Sequence, residues 1–452
     1  MQPIGRRRFL ARGATAAAAT LGTGAAVAAL TACSSDSDGS DGSAPARPGA
    51  ATKPARLGDG SQAPFDHVVL LMMENRSFDH LLGWLPDADG RQHGLKYPDL
   101  TGTLHPTWDL GDHYQGCDYL DPQHQWPAGA TQLNDGKGDG FLFTQVREGE
   151  QTPADLFPIG YFGQDAVPIL GTLAEQYTTF DKYFAALNAG TWPNRIYQVA
   201  AATDVDFTGI ILADGTAVPT SAIQTTIYDR LAAAGLTAGY YAYGEPMTAV
   251  FASKRYDAIT HPVDDFFTAC ANGTLPNVAI VEPDFTSVSE ETGVSNDDHP
   301  WGSIRVGEGY IQRVYEAVTR SPQWAKTVLV VTFDEWGGFY DHVVPPTVPD
   351  DNVNPNAGEH PDYKQLGFRV PCVVVSPWSP KQVVSAGPYE HCSVLRMIEW
   401  RWGLEPMTLR DKSARNLAEQ LDFTLARPPV KLPKFTAPAP LACPAGSANG
   451  AT

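Results

Sequence analysis

The sequence predicts an α/β protein organised around one large, mostly parallel sheet. Three observations carry that expectation. Apolar, β-branched runs at residues 68–73 and 327–333 break off at polar pairs, Glu74-Asn75 and Asp334-Glu335. Further strand-like runs at 236–243, 278–281 and 370–376 alternate with helical patterns. No internal repeat or second linker interrupts residues 65–425. Val68 to Met73 are apolar without a break, which reads as an interior strand buried on both faces. The helical patterns fall at 223–234 and 308–319, the second with Ile311, Val314, Tyr315 and Val318 on one face. Such alternation puts crossover helices on the faces of a parallel sheet. The body is long for one domain, yet ordinary for an α/β protein with a single large sheet.

Ligands of open α/β sheets gather at the carboxyl ends of the strands. The two runs place Glu74, Asn75, Asp334 and Glu335 there, and Gly337-Gly338 then lets the backbone turn sharply. Three carboxylates that close repel one another unless a cation sits among them. Oxygen ligands suit a hard divalent ion, Ca²⁺, Mg²⁺ or Mn²⁺, with Zn²⁺ a less natural fit. The competing reading is a plain Asn/Ser helix cap after residue 73, with acids that end different strands and never meet.

Thr191 sits before a Pro-containing helix start, with helix expected from Asn194 onward. A hydroxyl at a helix N-terminus is held where amide dipoles favour a phosphate. Contact with a metal would let it ionise and attack phosphorus; as a cap alone it would do neither. His342 lies 7 residues past Glu335, across the two glycines, so the chain is expected to fold back towards the acids. Residues 86–166, rich in Gly, Asp, Pro, Trp and His, are expected to form loops over the site and contribute His124.

An ordered set of motifs carries a resemblance: ENRSFDH at 74–80, DPQHQW at 121–126, NAGTWPNR at 188–195, EPDF at 282–285, NDDHP at 296–300, DEWGGFYDHVVPP at 334–346, and a last block at 389–393. Together they resemble the bacterial phosphoesterase family that contains the phosphatidylcholine-preferring phospholipases C and the respiratory-burst-inhibiting acid phosphatase. That family is similar in fold to the alkaline phosphatase superfamily. The resemblance implies an alkaline phosphatase-like three-layer sandwich. It implies Glu74, Asn75, Thr191, Asp334 and Glu335 as ligands of one or more divalent metal ions, with Thr191 also the nucleophile. His124, His299 and His342 would surround the phosphoryl group, as hydrogen-bond donors or as the acid for the leaving alcohol. Asn194, Asp298 and His391 would bind phosphate or support the groups that do. His391 departs from the family pattern, which usually has Asp before it where this chain has Glu390.

Phospholipase-type members commonly carry Thr at the nucleophile position, where the acid phosphatase carries Ser. Thr191 therefore tilts the expectation towards a phospholipase C on phosphatidylcholine-like lipids. The alternatives are an acid phosphatase-type phosphomonoesterase and a non-catalytic cell-surface binding lipoprotein. Intact metal and nucleophile positions argue against the last.

The N-terminus reads as an address. Gly5-Arg6-Arg7-Arg8-Phe9-Leu10 fits the twin-arginine export pattern, and Leu30-Thr31-Ala32-Cys33 resembles a lipobox. Residues 1–32 would be the signal peptide, and a lipidated Cys33 would attach an extracytoplasmic protein to the membrane; otherwise Cys33 is incidental to an ordinary signal. Residues 33–64 read as a flexible tether, 65–425 as the catalytic domain and 426–452 as a Pro-rich tail. Losing residues 1–32 removes four arginines and no acid, taking the formal charge from −19 to −23. Such a chain does not bind nucleic acid non-specifically or adhere electrostatically to anionic lipid. A zwitterionic phospholipid or a small phosphoester fits as substrate. The five cysteines beyond Cys33 allow at most two disulfides, and none has zinc-ligand spacing. The sequence sets no oligomeric state.

Overall fold

The computed structural model describes residues 57–203, 225–244, 246–251, 255–352, 362–445 and 447. The export signal, Cys33 and most of the expected tether lie outside the described residues. At the centre of an eight-stranded sheet is β1 (His67–Met73), every residue of it buried. The other strands are β2 (Thr178–Phe180), β3 (Ala238–Ala242), β4 (Thr260–Pro262), β5 (Val278–Val281), β6 (Thr327–Phe333), β7 (Cys372–Val375) and β8 (Gln382–Val384). Their order across the sheet is β8-β2-β7-β6-β1-β5-β3-β4. Only β7 runs against the rest, so the sheet is mostly parallel.

Helices cover the sheet in two layers. Pro168–Gln176 and Val263–Asn272 both pack against Ile304–Arg320, which also touches β1 and β6. On the other side Thr191–Ala200 packs with Ile227–Ala233 and Cys392–Trp402. There Leu70, Met72, Tyr240 and Ile280 of the sheet meet Arg195, Gln198 and Val199. Layering of this kind is what strands apolar on both faces demand. The register places the site. β1 and β6 pair in parallel and end level, Leu71 opposite Val331 and Met73 opposite Phe333. Adjacent strands lie about 4.8 Å apart, so Glu74 and Asp334 leave the sheet side by side, and Asp334 N donates to Met73 O at 3.0 Å.

The segment expected as loops has a small core of its own, where Tyr97, Phe141, Leu142, Ile159 and Tyr161 enclose Trp336, Tyr340 and Phe368. Trp336 Nε1 donates to Gln132 Oε1 (2.8 Å) and Gln132 Nε2 to Gln123 O (2.6 Å), which ties the turn after Glu335 to the residue beside His124. The C-terminal segment lies along the body as a strap. Val430 N donates to Tyr177 OH (3.0 Å), Arg305 stacks over Phe435, and Cys443 is joined to Cys117 by a disulfide. Cys270, Cys372 and Cys392 are buried free thiols. Part of the expected tether is also packed: Trp400 Nε1 donates to Gly58 O at 2.9 Å, and Gly60 is buried against Trp400. Among the described residues, no helix is long and apolar enough to cross a membrane.

Candidate active site

Glu74, Asn75, Asp334 and Glu335 meet at the carboxyl ends of β1 and β6, all of them buried. Asn75 has φ +58°, a left-handed conformation that Asn tolerates better than most residues. Its backbone N donates to Asp334 Oδ1 at 3.1 Å, which locks the two strand ends together. Gly337 (φ +62°) passes so close that a Cβ there would stand 2.1 Å from Asn75 O. Only glycine fits both the angle and the approach.

Thr191 arrives from a third element. The helix Thr191–Ala200 starts at Thr191 itself, three residues earlier than expected, with Gly190 as its N-cap. Asn194 shapes that entry. Its Oδ1 accepts from Leu187 N (2.8 Å) and its Nδ2 donates to Ala189 O (2.7 Å) and Gly190 O (3.0 Å). Of the two roles expected for Asn194, binding phosphate or supporting the groups that do, these bonds favour support, because they commit both ends of its amide. Thr191 Oγ1 is turned to the acids, donating to Glu74 Oε2 at 3.1 Å and lying 3.4 Å from Asn75 Oδ1. Ser77, by contrast, is the cap of the Phe78–Leu82 helix, accepting from His80 N.

Arg195, one helical turn beyond Thr191, is the residue that the sequence reading left without a role. It bonds Glu74 Oε1 (2.9 Å from Nε) and Asp334 Oδ2 (3.3 Å), and lies 3.7 Å from Glu282 Oε1. Its spacing of four from Thr191, which sets both on one helix face, was the available signal. One guanidinium does not balance the group. Burial first, then the neighbouring Asp334, pushes the Glu74 carboxyl well above its ordinary range against the pull of Arg195, and burial with Asp334 does the same to Glu335.

The Asn75 amide shows whether the donors suit a cation. One way round, its nitrogen donates to Glu335 Oε1 (2.7 Å) and Glu74 Oε2 (2.9 Å). The other way round its oxygen takes that place, and the nitrogen lies 3.4 Å from His124 Nε2. His124 Nδ1 lies 2.7 Å from Pro122 O. A carbonyl only accepts, so Nδ1 carries the proton and Nε2 of the neutral ring is an acceptor. An acceptor at Nε2 calls for the Asn75 nitrogen, which turns the Asn75 oxygen towards the carboxylates. Oxygens of Glu74, Asn75, Thr191 and Glu335 then converge with no hydrogen between the amide oxygen and the acids. That donor set fits a hard divalent ion.

The remaining expected residues divide. His124 Nε2 is also 3.9 Å from Glu335 Oε1, and the His299 ring lies 6.4 Å from the His124 ring. His299 Nε2 is 3.8 Å from Asp121, its Nδ1 has no partner, and burial pushes it down to about 4. Asp298 (φ +79°) packs against Gly307, and its backbone O accepts from Arg76 Nε at 2.7 Å. His391 lies behind the acids, its Nε2 donating to Asp334 O at 2.6 Å. His342 was expected to turn back to the metal ligands; its ring nitrogens instead meet Asp79 and Asp89. The positive φ angles of Gly337 and Gly338 aim the chain at the Phe78–Leu82 helix, where Asp79 Oδ2 accepts from His342 N at 2.9 Å. Ligand atoms of Asp79, Asp341 and His342 lie within 4.8 Å of one another, the spacing of a metal site. Arg369 already fills the cationic place there, bonding Asp79 at 3.1 Å and Asp341 at 2.8 Å.

Residues 65–405 match the Phosphoesterase family. Non-specific phospholipase C6 of Arabidopsis thaliana is 32% identical over 382 residues, 78% of this chain and 71% of that protein. Phospholipase C B of Mycobacterium tuberculosis is 30% identical over 441 residues, 85% of this chain and 81% of that protein. Among solved structures, the phosphonate monoester hydrolase of Agrobacterium radiobacter aligns over 79% of this chain and 77% of its own, with 11% identity and a TM-score of 0.39. The last likeness bears on neither residues nor reaction. The chain belongs to the phosphoesterase family and is a hydrolase of phosphoric ester bonds.

Proposed function

We propose that the protein is a metal-dependent phospholipase C that works through Thr191 and takes phosphatidylcholine-like lipids. The observation that carries this reading is the convergence on Thr191 Oγ1 of the Glu74 and Asn75 oxygens, at 3.1 and 3.4 Å. Glu74, Asn75, Thr191, Asp334 and Glu335 would hold the ion. A bound hard divalent ion would favour the ionised hydroxyl and neutralise phosphoryl oxygens. Thr191 Oγ1 then attacks phosphorus, the diacylglycerol alkoxide leaves and takes a proton from water, and a second water attacks the phospho-threonine, breaking its bond to Thr191 Oγ1 and releasing phosphocholine. Water takes the Thr191 proton, because Glu74 Oε2, with Oε1 held by Arg195, is needed ionised as a ligand. His299, held neutral at neutral pH, is suited to take a proton from the incoming water. Arg195 holds Glu74 and Asp334 in place, and His391 fixes the Asp334 backbone. The relatives named as phospholipases C support the substrate class.

Chelation followed by dialysis tests the reading, with Ca²⁺, Mg²⁺, Mn²⁺ and Zn²⁺ added back separately. Phosphocholine release from phosphatidylcholine should vanish and return with a hard ion. Full turnover in the metal-free protein removes the mechanism. Hydrolysis of p-nitrophenyl phosphate without phosphocholine release moves the protein to the phosphomonoesterases, and neither activity leaves a binding lipoprotein. We also propose twin-arginine export and a lipid anchor on Cys33, supported by the residues at 5–10 and 30–33. Acyl labelling that persists in Cys33→Ala would exclude that anchor.

A further inference from the structure

A helix at the edge of the site has two different sides. In Ser287–Thr292, Glu290 is turned inward and shares a hydrogen bond with Asp297 near Glu74. Val288, two residues earlier, is 69% exposed. The C-terminal strap ends against the same helix: Cys443 N donates to Thr292 O at 2.8 Å, and Gln115 Nε2 bridges Gly293 O (3.0 Å) and Leu441 O (2.8 Å). Leu441 is also 69% exposed. These are the two most exposed large hydrophobic side chains among the described residues, and they project from abutting segments.

Single exposed apolar residues are ordinary. These two are held together by the fold, because the Cys117–Cys443 disulfide pins the strap beside them. Cys443 Sγ also lies 3.9 Å from the backbone carbonyl of Trp301, whose half-buried ring is 5.9 Å from that of His299. The strap therefore brings the two exposed side chains to the edge of the site beside Trp301. We propose that Val288, Leu441 and Trp301 form the edge by which the enzyme enters a lipid surface of zwitterionic headgroups. The inference rests on the phospholipid reading above. Charge selects this surface: the chain carries a formal −19, Asp284 accepts from Ser289 Oγ of the helix at 2.9 Å, and Asp121 lies 3.8 Å from His299 beside Trp301. Anionic lipid is repelled, whereas the outermost group of a phosphatidylcholine layer is a quaternary ammonium. Small apolar side chains beside such a layer bind weakly and reversibly, which suits an enzyme that must leave its product.

The test compares wild type with V288S/L441S in the full chain, both carrying Cys33→Ser so that no acyl chain confounds binding. Sedimentation with phosphatidylcholine vesicles is measured in chelator, where turnover is stopped. Hydrolysis is measured on the same vesicles and on a short-chain phosphatidylcholine below its critical micelle concentration. The double variant should lose roughly tenfold or more in vesicle binding and vesicle hydrolysis, and keep monomer hydrolysis within about twofold. Equal sedimentation of both proteins, sedimentation of neither, or an equal loss on monomer and vesicle overturns the surface. The substrate reading fails separately, if wild type sediments but releases no phosphocholine from the monomer.

Discussion

Each of the two segments that leave the central strands carries two groups of acids in turn. Glu74 and Asp334-Glu335 make the inner cluster, Asp79 and Asp341-His342 the outer one, and five of these six residues are fully buried. In the outer cluster the oxygens have N–H partners. Asp79 accepts from Arg369, Arg91 N, His342 N and the His342 ring, while Asp341 accepts from Arg369, Val343 N and Asp79 N. In the inner cluster Arg195 covers Glu74 Oε1 and Asp334 Oδ2, and Asn75 N and Glu335 N cover Asp334 Oδ1, but Glu74 Oε2 and Glu335 Oε1 face Thr191, the Asn75 amide and, 3.9 Å away, His124. Proximity of acids does not separate a cation site from a structural knot. The count of N–H groups around each oxygen does.

The largest effect belongs to Thr191. Thr191→Ala removes the oxygen at the centre of the inner cluster, and turnover should fall roughly 10³-fold or more. Thr191→Ser keeps the hydroxyl and should retain substantial activity. Gly190, not Thr191, is the helix N-cap, so both proteins should unfold within about 1 kcal/mol of wild type. Near-normal turnover in Thr191→Ala would show that water attacks phosphorus directly.

Arg369→Met should damage the fold instead. It strands Asp79 and Asp341 in a site with no solvent, a change worth about 3–5 kcal/mol of stability in urea unfolding. Metal content per folded molecule should not change. A variant that gains a metal ion, and is rescued by it, would show that the outer cluster is a metal site blocked by the guanidinium. Asp334→Asn should do the reverse: unfolding close to wild type with metal present, and metal affinity reduced by roughly 10–100-fold or more. Wild-type turnover of Asp334→Asn at limiting metal would remove Asp334 from the ligand set.

The contrast between the clusters also marks what the sequence made legible. β1 and β6 were readable because both faces of each are buried, which leaves an unbroken apolar run that ends abruptly at polar residues. Two strands ending in acids imply their meeting only if the strands are neighbours in level register, and the pairing of Met73 with Phe333 supplies that. The short strands Thr178–Phe180, Thr260–Pro262 and Gln382–Val384 escaped notice, since three residues carry no period. His342 shows the limit of spacing. Seven residues and two glycines give the chain reach but no direction, and Asp79 on another segment decided where the ring went. The Pro-rich C-terminal stretch reads as a tail by composition, yet Val430, Leu432 and Phe435 within it pack on the core. Arg195 was hidden because a buried cation is identified by its partners, and those follow the carboxyl ends of β1, β5 and β6.

The smallest expected effect is one of sign. His391, behind the inner cluster, is pushed down to about 4 by burial. His342, in the outer cluster, is also disfavoured as a cation by burial, but the bond to Asp79 outweighs that and raises it above its ordinary value. An unfolded histidine titrates near about 6.5. For His391 the folded value is depressed, so its contribution to stability is present above that pH and is lost as pH falls towards 4. For His342 the folded value is raised, so its contribution is complete below about 6.5 and is lost as pH rises through the folded value. Urea unfolding in chelator, which removes metal linkage, should therefore show opposite trends. His342→Gln should destabilise more at about pH 6 than at about pH 8.5, whereas His391→Gln should destabilise more at about pH 8 than at about pH 4.5. The same trend in both variants would mean that Asp79 does not hold the His342 proton, and that the outer cluster relies on Arg369 alone.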